Sequence, residues 1–374
     1  MVKIIAFYLP QFHPFKENDE WWGKGFTEWT NVGKAKPLFK GHNQPRVPTE
    51  LGYYDLRLPI VREQQALMAR DAGVTAFCYW HYWFGNGKRL IADIFDEVLN
   101  TGKPDFPFCL GWANHSWYAK DWNSDGTTSQ KLLQEQTYPG IEDEKMHFQL
   151  LVKAFKDSRY VKIDNSPFLL VFDPTSLPQE YIDNFRKWTK EAGFTDLFLV
   201  ANISINRNPE DFLQMGYSAV TFQRLASKNK QTLLSKSRIG RRLYKECRKV
   251  MGFIRHRPPF LFDYSKLYHS LIQDIDKKEY VIPAIIPQWD HTPRSGWNGS
   301  LFINSTPQYF GKHVEEALNA IKDKPLSKRI LLLKSWNEWG EGNYMEPDLL
   351  NGRGFIDALK SKIDWFSQKK CEFK

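Results

Sequence analysis

The chain has 374 residues, a mass of 44.0 kDa and a formal charge of +9. With 42% hydrophobic and 25% charged residues it has the make-up of a globular protein of one large or two ordinary domains, not of a disordered or fibrous one. No stretch approaches the ~20 apolar residues of a membrane span, and the four cysteines (Cys78, Cys109, Cys247, Cys371) lack the paired spacing of a disulfide framework or zinc module.

Val2 to Tyr8 reads as a first buried strand, stopped by Pro10. Its apolar run is too short for a secretory h-region, so a cytoplasmic protein with free thiols is expected. Gln11 to Tyr54 is a long polar-aromatic excursion with Trp21, Trp22 and Trp29, too aromatic to be disordered. Leu56 to Ala72 is helical and Val74 to Tyr79 a second strand, running into Trp80 to Phe84. Leu90 to Leu99 is helical, Phe106 to Ala113 a third strand, and Asn114 to Thr128 a polar-aromatic loop. Then come a helix (Glu144 to Lys156), a fourth strand (Phe168 to Phe172), a helix (Gln179 to Ala192) and a fifth strand (Leu197 to Ala201). A short helix (Pro209 to Met215) and a short sixth strand (Ala219 to Phe222) follow. Beyond a basic stretch lie a helix (Leu267 to Ile275), a seventh strand (Val281 to Ile286) and a helix (Gln308 to Ile321). Ile330 to Leu333 is the eighth strand and Gly354 to Phe366 the closing helix.

Eight apolar runs alternating with helices predict an α/β fold, one (β/α)8 TIM barrel over residues 1–374 with long decorated loops on its C-terminal face. A doubly wound sheet would need a Gly-rich first turn, and no GxGxxG follows the first strand. Barrel active sites gather at strand C-termini. Those ends carry Tyr8, Gln11 and His13; Trp80, His81 and Tyr82; Trp112, Asn114 and His115; Asp173; Asn202; Gln223; Gln288, Trp289, Asp290 and Arg294; and Trp336, Asn337, Glu338 and Glu341. Nine of the 14 Trp (Trp80, Trp83, Trp112, Trp117, Trp122, Trp289, Trp297, Trp336, Trp339) lie at or just past such ends, whereas the opposite loops Thr101 to Asp105 and Thr195-Asp196 have none. Aromatic faces beside Asn, Gln, Asp and Arg fit a sugar site, with stacking on C–H faces and planar polar groups reading hydroxyls. Of this set Tyr8, Gln11, His13, Trp80, His81, Tyr82, Trp112, Asn114, Asp173, Trp289, Asp290, Arg294, Trp336 and Asn337 are the expected substrate-binding residues.

Glu338 and Glu341 are the expected catalytic pair, since two carboxylates in different environments supply the acid and the base of acetal chemistry, and close approach favours retention. A glutamate before a helix also simply caps or solvates it, and a spacing of three does not decide. Arg294 and His291 are candidates to tune the pair, or to form a surface salt bridge. A GxSxG elbow and a GxxxxGKS loop are absent, and Asp274-Ile275-Asp276 sits in an expected helix, reading as a solvated face. No cofactor and no metal are expected. Residues 228–257 hold 11 Lys/Arg against the single acid Glu246, leaving the remainder close to neutral. Ile239, Leu243, Cys247, Val250, Met251 and Ile254 recur there at helical spacing between the basic residues. This basic amphipathic insert suits an anionic membrane surface as well as a solvated helix on the barrel. Nucleic acid is not expected, because the rest of the chain has no basic footprint.

The run Gly25-Phe26-Thr27-Glu28-Trp29-Thr30-Asn31-Val32, continued by Lys34 to Phe39 and Leu51 to Leu56, resembles the WbsX-type glycosyltransferases of surface-polysaccharide loci. So do Phe77 to Phe84, Trp112-Ala113-Asn114 and Trp336 to Gly342, so the resemblance covers nearly the whole chain. That family is similar in turn to the endo-α-mannosidases of glycoside hydrolase family 99, retaining (β/α)8 barrels whose Asn-Glu-Trp-His-Glu-Gly motif Asn337 to Gly342 matches except at Gly340. His115 is a second departure, standing where WbsX-like sequences carry Glu. The resemblance implies that Glu338 is the base acting on the 2-hydroxyl through a 1,2-anhydro sugar, and Glu341 the general acid/base at the leaving oxygen. It also implies retaining chemistry on a mannose-like α-glycosidic bond in O-antigen or capsule assembly. The expected partner is an oligosaccharide or lipid-linked glycan, and the expected location cytoplasmic, peripheral to the inner membrane face. An endo-acting hydrolase and a non-catalytic glycan-binding barrel are the alternatives.

Overall fold

The computed structural model describes residues 2–122, 128–224, 246, 247, 250, 254, 258 and 260–372. Eight parallel strands form the central sheet: β1 (Lys3–Tyr8), β2 (Ala76–Trp83), β3 (Phe108–Trp112), β4 (Ser166–Val171), β5 (Phe198–Ser204), β6 (Ala219–Gln223), β7 (Ala284–Ile285) and β8 (Ile330–Leu333). Their order is β6-β5-β4-β3-β2-β1-β8-β7. A parallel bridge between Val220 and Val281 joins the two ends, with Val220 N donating to Tyr280 O and Ile282 N to Val220 O, both at 2.8 Å. The sheet thus closes into the expected (β/α)8 barrel, and every barrel strand is rich in buried apolar residues, as a sheet covered on both faces requires.

The helices are α1 (Lys16–Trp22) and α2 (Glu28–Lys34) in the first long loop, then α3 (Pro59–Asp71), α4 (Asp93–Thr101), α5 (Ile141–Phe155), α6 (Gln179–Glu191), α7 (Pro209–Gln214), α8 (Pro307–Ile321) and α9 (Gly354–Glu372). Proline at the first turn starts α3, α7 and α8, where its missing N–H leaves no bond unmade. Thr27 caps α2 in a reciprocal capping box with Thr30.

Three expectations are corrected. The helix over Leu267 to Ile275 is instead a set of short turns, Tyr264–Leu267, Tyr268–Ser270 and Asp274–Lys277. The Arg224 guanidinium bonds the Leu271 carbonyl and Asp276, taking an acceptor that a continuous helix needs for its own ladder. The seventh strand shrinks to two paired residues because Pro283 and Pro287 bracket it and supply no amide hydrogen. The loop from Asn114 contains an antiparallel hairpin, Trp117–Trp122 with Thr128–Gln134. The amphipathic helix expected within 228–257 lies almost wholly outside the described residues. No helix among the described residues is long and apolar enough to cross a membrane.

Candidate active site

Just past β8 the chain makes a two-residue strand, Asn337–Glu338, and a tight 3-10 turn, Trp339–Glu341. With three residues per turn, positions i and i+3 eclipse one another. Glu338 and Glu341 therefore project to one side, into a cavity of about 1140 Å³ at the C-terminal end of the barrel. Trp336 and Trp339 hold the turn from behind: both are fully buried, and Trp339 stacks on Tyr344 at 3.7 Å and donates from Nε1 to Glu346 at 2.6 Å. Gly342 closes the turn at φ +54°, where a Cβ would lie 2.7 Å from that of Asp290. Asp290 N donates to Glu341 O at 2.7 Å, tying the turn to the loop after β7.

Arg294, in the short helix Thr292–Ser295 of that loop, joins the carboxylates. Its Nη1 donates to Glu341 Oε1 at 2.8 Å and its Nη2 to Glu338 Oε1 at 2.7 Å. Its Nε donates to a third carboxylate, Glu28 Oε2, at 3.1 Å, and Nη2 lies 2.9 Å from the same oxygen. His291 Nε2 stands 3.5 Å from Glu341 Oε1. Burial pushes the Glu338 carboxyl up to about 8; the Arg294 charge opposes this, while Glu341 and Glu28 add to it. Burial also acts on Glu341, but the His291 contact and the charges of Arg294, His291 and Lys334 outweigh it and hold the group well below the usual carboxylate range. The pair thus splits into one protonated and one ionised carboxyl.

Gln11, Trp80, Tyr82, Trp289, Arg294, Glu338 and Glu341 line the cavity, as do His115 and Gln223. Tyr8, His13, His81, Trp112, Asn114, Asp173, Asp290, Trp336 and Asn337 do not line it. The reason is the two-residue period of a strand. Phe7 and Leu9 face the cavity, whereas Tyr8 between them turns outward and donates to Gln65 of α3 at 2.6 Å. Trp80 and Tyr82 face it, whereas His81 turns out to His147 of α5, their Nε2 atoms 2.9 Å apart. Trp112 packs edge-on against the same His147. The others brace loops. Asn337 exchanges two hydrogen bonds with the Leu9 backbone, Asn114 spans to the Asp173 backbone, and Asp290 accepts from Gln44 at 2.6 Å and Thr292. His13 is 2% exposed, buried outside the cavity lining.

Sequence reasoning passed over Glu28, Lys334, Ser335 and Asn343, all of which line the cavity. Asn343 pairs across from Glu338 in a two-stranded antiparallel ladder and is fully buried, yet neither polar atom of its amide has a partner; the Ser335 hydroxyl is likewise unpaired. Lys334 reaches over the Trp289 ring, 5.9 Å from its centroid. Only the Gly25-to-Val32 run flagged the stretch around Glu28; a lone Asn or Ser gave no signal. Among the described residues no group of His, Cys, Asp and Glu is arranged to hold a metal ion.

The (β/α)8 barrel fold is shared with solved structures. The chain superposes on the family 99 endo-α-mannosidase of Bacteroides thetaiotaomicron in complex with BIS-TRIS-propane with a TM-score of 0.57, at 14% identity over 99% of this chain and 98% of that one. A second structure of the endo-α-mannosidase from that organism gives 0.55 at 14% identity, covering 98% of each chain. In sequence, the family described as glycosyltransferase WbsX matches residues 4–359, and the chain belongs to that family. The uncharacterized protein WxcX of Xanthomonas campestris pv. campestris (strain B100) is 30% identical over 367 residues, 96% of this chain and 49% of that protein. The chain thus spans about half the length of the curated relatives it matches.

Proposed function

We propose that the protein makes or remakes a mannose-like α-glycosidic bond with retention, in the assembly of an O-antigen or capsular polysaccharide, using Glu338 and Glu341. The observation that carries this is the Arg294 fork, which holds both carboxylates within one guanidinium's span at the mouth of a Trp-lined barrel. The cavity exceeds the usual few hundred Å³ of small-ligand pockets and suits an oligosaccharide. Trp80 and Trp289 supply stacking faces.

In the sequence implied by the family resemblance, Glu338 takes the proton of the 2-hydroxyl and O2 attacks C1. The glycosidic C1–O bond breaks, and its oxygen receives a proton from Glu341. An acceptor hydroxyl then gives its proton to Glu341, its oxygen bonds C1 and the anhydro ring opens, with O2 recovering its proton from Glu338. Two inversions at C1 leave the configuration retained. Those roles need Glu338 ionised and Glu341 protonated, the reverse of the order that burial and Arg294 impose. Substrate entry therefore has to displace the fork and move one proton from Glu338 to Glu341. The opposite assignment, Glu338 as acid and Glu341 as base, needs no such transfer. The pH profiles of Glu338→Gln and Glu341→Gln separate the two: the variant lacking the base loses the acidic limb.

Each of those variants is expected to lower turnover at least about 100-fold while keeping glycan binding, measured against a panel of oligosaccharides and sugar nucleotides. Unchanged turnover in either overturns the mechanism. Transfer to water alone identifies an endo-acting hydrolase, and binding without turnover by the intact protein identifies a glycan-binding barrel. The basic segment 228–257 supports a cytoplasmic enzyme acting on a lipid-linked glycan at an anionic membrane face. Co-sedimentation with anionic liposomes, lost on deleting residues 235–255, is the expected result, and no binding by the intact protein rejects it.

A further inference from the structure

Glu28 lies some 300 residues from the Glu338–Glu341 turn in sequence, yet it is 5% exposed and its carboxylate meets the inner side of the Arg294 guanidinium. Its position is built. Thr27 caps α2, which makes Glu28 the first helical residue. Trp29 then fixes the helix to the barrel, its ring 5.5 Å from that of Trp339 and its Nε1 donating to Tyr54 O at 2.7 Å. The helix presses its first turn onto the 3-10 turn Trp339–Glu341, and the contact is close. A Cβ on Gly340 would stand 2.2 Å from Glu28 Oε2 and 3.0 Å from Arg294 Nε. The backbone of Gly340 does not have the positive φ that favours glycine. Space, not conformation, is therefore what a side chain lacks at this residue.

From this geometry we infer that Glu28 is a positioning residue of the site: it anchors Arg294 so that the two outer nitrogens straddle Glu338 and Glu341, and residue 340 is glycine because that anchor fills its side-chain volume. An arginine held by two carboxylates alone would be free to pair with either in turn. Held by a third at Nε, its plane is fixed, with Nη1 on Glu341 and Nη2 shared between Glu338 and Glu28. Glu28 also sets how much of the guanidinium charge reaches Glu338. The groups that face Glu338 are Arg294, Glu341, Glu28, Tyr82 and Lys334, and of these Glu28 is the one whose negative charge competes for the same Nη2. Removing that charge leaves more of Arg294 to Glu338 and favours its ionised form.

The inference rests on the glycosidic reading only in treating the pair as reactive, and its test does not use turnover. In protein labelled with 13C at glutamate Cδ, the Glu338 carboxyl is the titrating signal lost in Glu338→Gln. Its midpoint is expected to fall by on the order of one pH unit in Glu28→Gln; an unmoved midpoint overturns the inference. A second arm uses Gly340. Gly340→Ala is expected to shift the same titration and lower the melting temperature in the intact protein. In a Glu28→Ala background, where the 2.2 Å collision is gone and the Arg294 guanidinium alone stays close, both effects should shrink. Equal effects in both backgrounds, or none in the first, overturn the steric half. Should Glu338→Gln retain full turnover, the glycosidic reading falls while these titrations still report on Glu28.

Discussion

Asn343 shows what a single buried residue costs beside this site. A fully buried amide with neither atom paired costs stability, of the order of 1–3 kcal/mol for the polar group. Asn343→Ala is accordingly expected to leave the melting temperature unchanged or raise it. A drop in melting temperature refutes this reading. At this scale the sequence was legible in part. The two glutamates, Arg294 and the alternate strand-end residues Trp80 and Tyr82 stand in the cavity. Tyr8, His81 and Trp112 do not, because a strand sends neighbours to opposite faces and a one-residue error in phase exchanges cavity for helix layer. Both phases of an apolar run look alike when both faces are buried.

Among the elements, the eight strands and the large helices were legible because parallel strands read as continuous apolar runs. What could not be read were contacts made across long sequence distances. Arg224 interrupts a helical pattern over Leu267 to Ile275, and α2 crosses from the first loop to the Trp339–Glu341 turn. α2 has seven residues, too few to be stable alone, so its docking rests on Trp29. Trp29→Ala is expected to cost about 2–3 kcal/mol, below the range for fully buried rings, since Trp29 is partly exposed. Because α2 carries Glu28, the same substitution should also move the Glu338 titration. Urea denaturation read beside that titration checks the pairing, and a stability loss with an unmoved titration shows that Glu28 is held without Trp29.

For the molecule as a whole, buried titrating groups outside the site govern the response to acid. Burial pushes His81 and His313 down to about 3, and His147 well below its ordinary value. The unfolded chain binds these protons from about pH 6.5 downward, so this contribution to stability is lost as pH falls toward 3. Glu346 works in the other direction. Burial lifts it to about 7 against hydrogen bonds from Trp339, Gln65 and Tyr54, so its contribution is complete below about pH 4.5 and is lost as pH rises through 7. The two effects partly cancel between pH 4.5 and 6.5. Below that window the histidines act unopposed, and melting temperature is expected to fall steeply there. His313 is the cleanest test, since both its ring nitrogens are unpaired and buried. His313→Phe should raise the melting temperature at pH 4 and change it little at pH 7.5; parallel losses at both values refute the assignment.

The position of the basic segment has a further consequence. The continuous described chain runs to Arg224, just past β6, whose last residue, Gln223, lines the cavity, and is continuous again from Phe260. Phe260 O accepts from Leu301 N, and Leu301 is bridged to Asp290 beside the Trp339–Glu341 turn. The first flank of the segment therefore meets the cavity directly, and the second reaches its neighbourhood through Leu301 and Asp290. A glycan carrier bound by 228–257, as proposed above, would be joined to the same chain as Glu338 and Glu341, so its encounter with them would be intramolecular. Its effective concentration would then be set by the length of the tether, not by the amount of carrier in the cell.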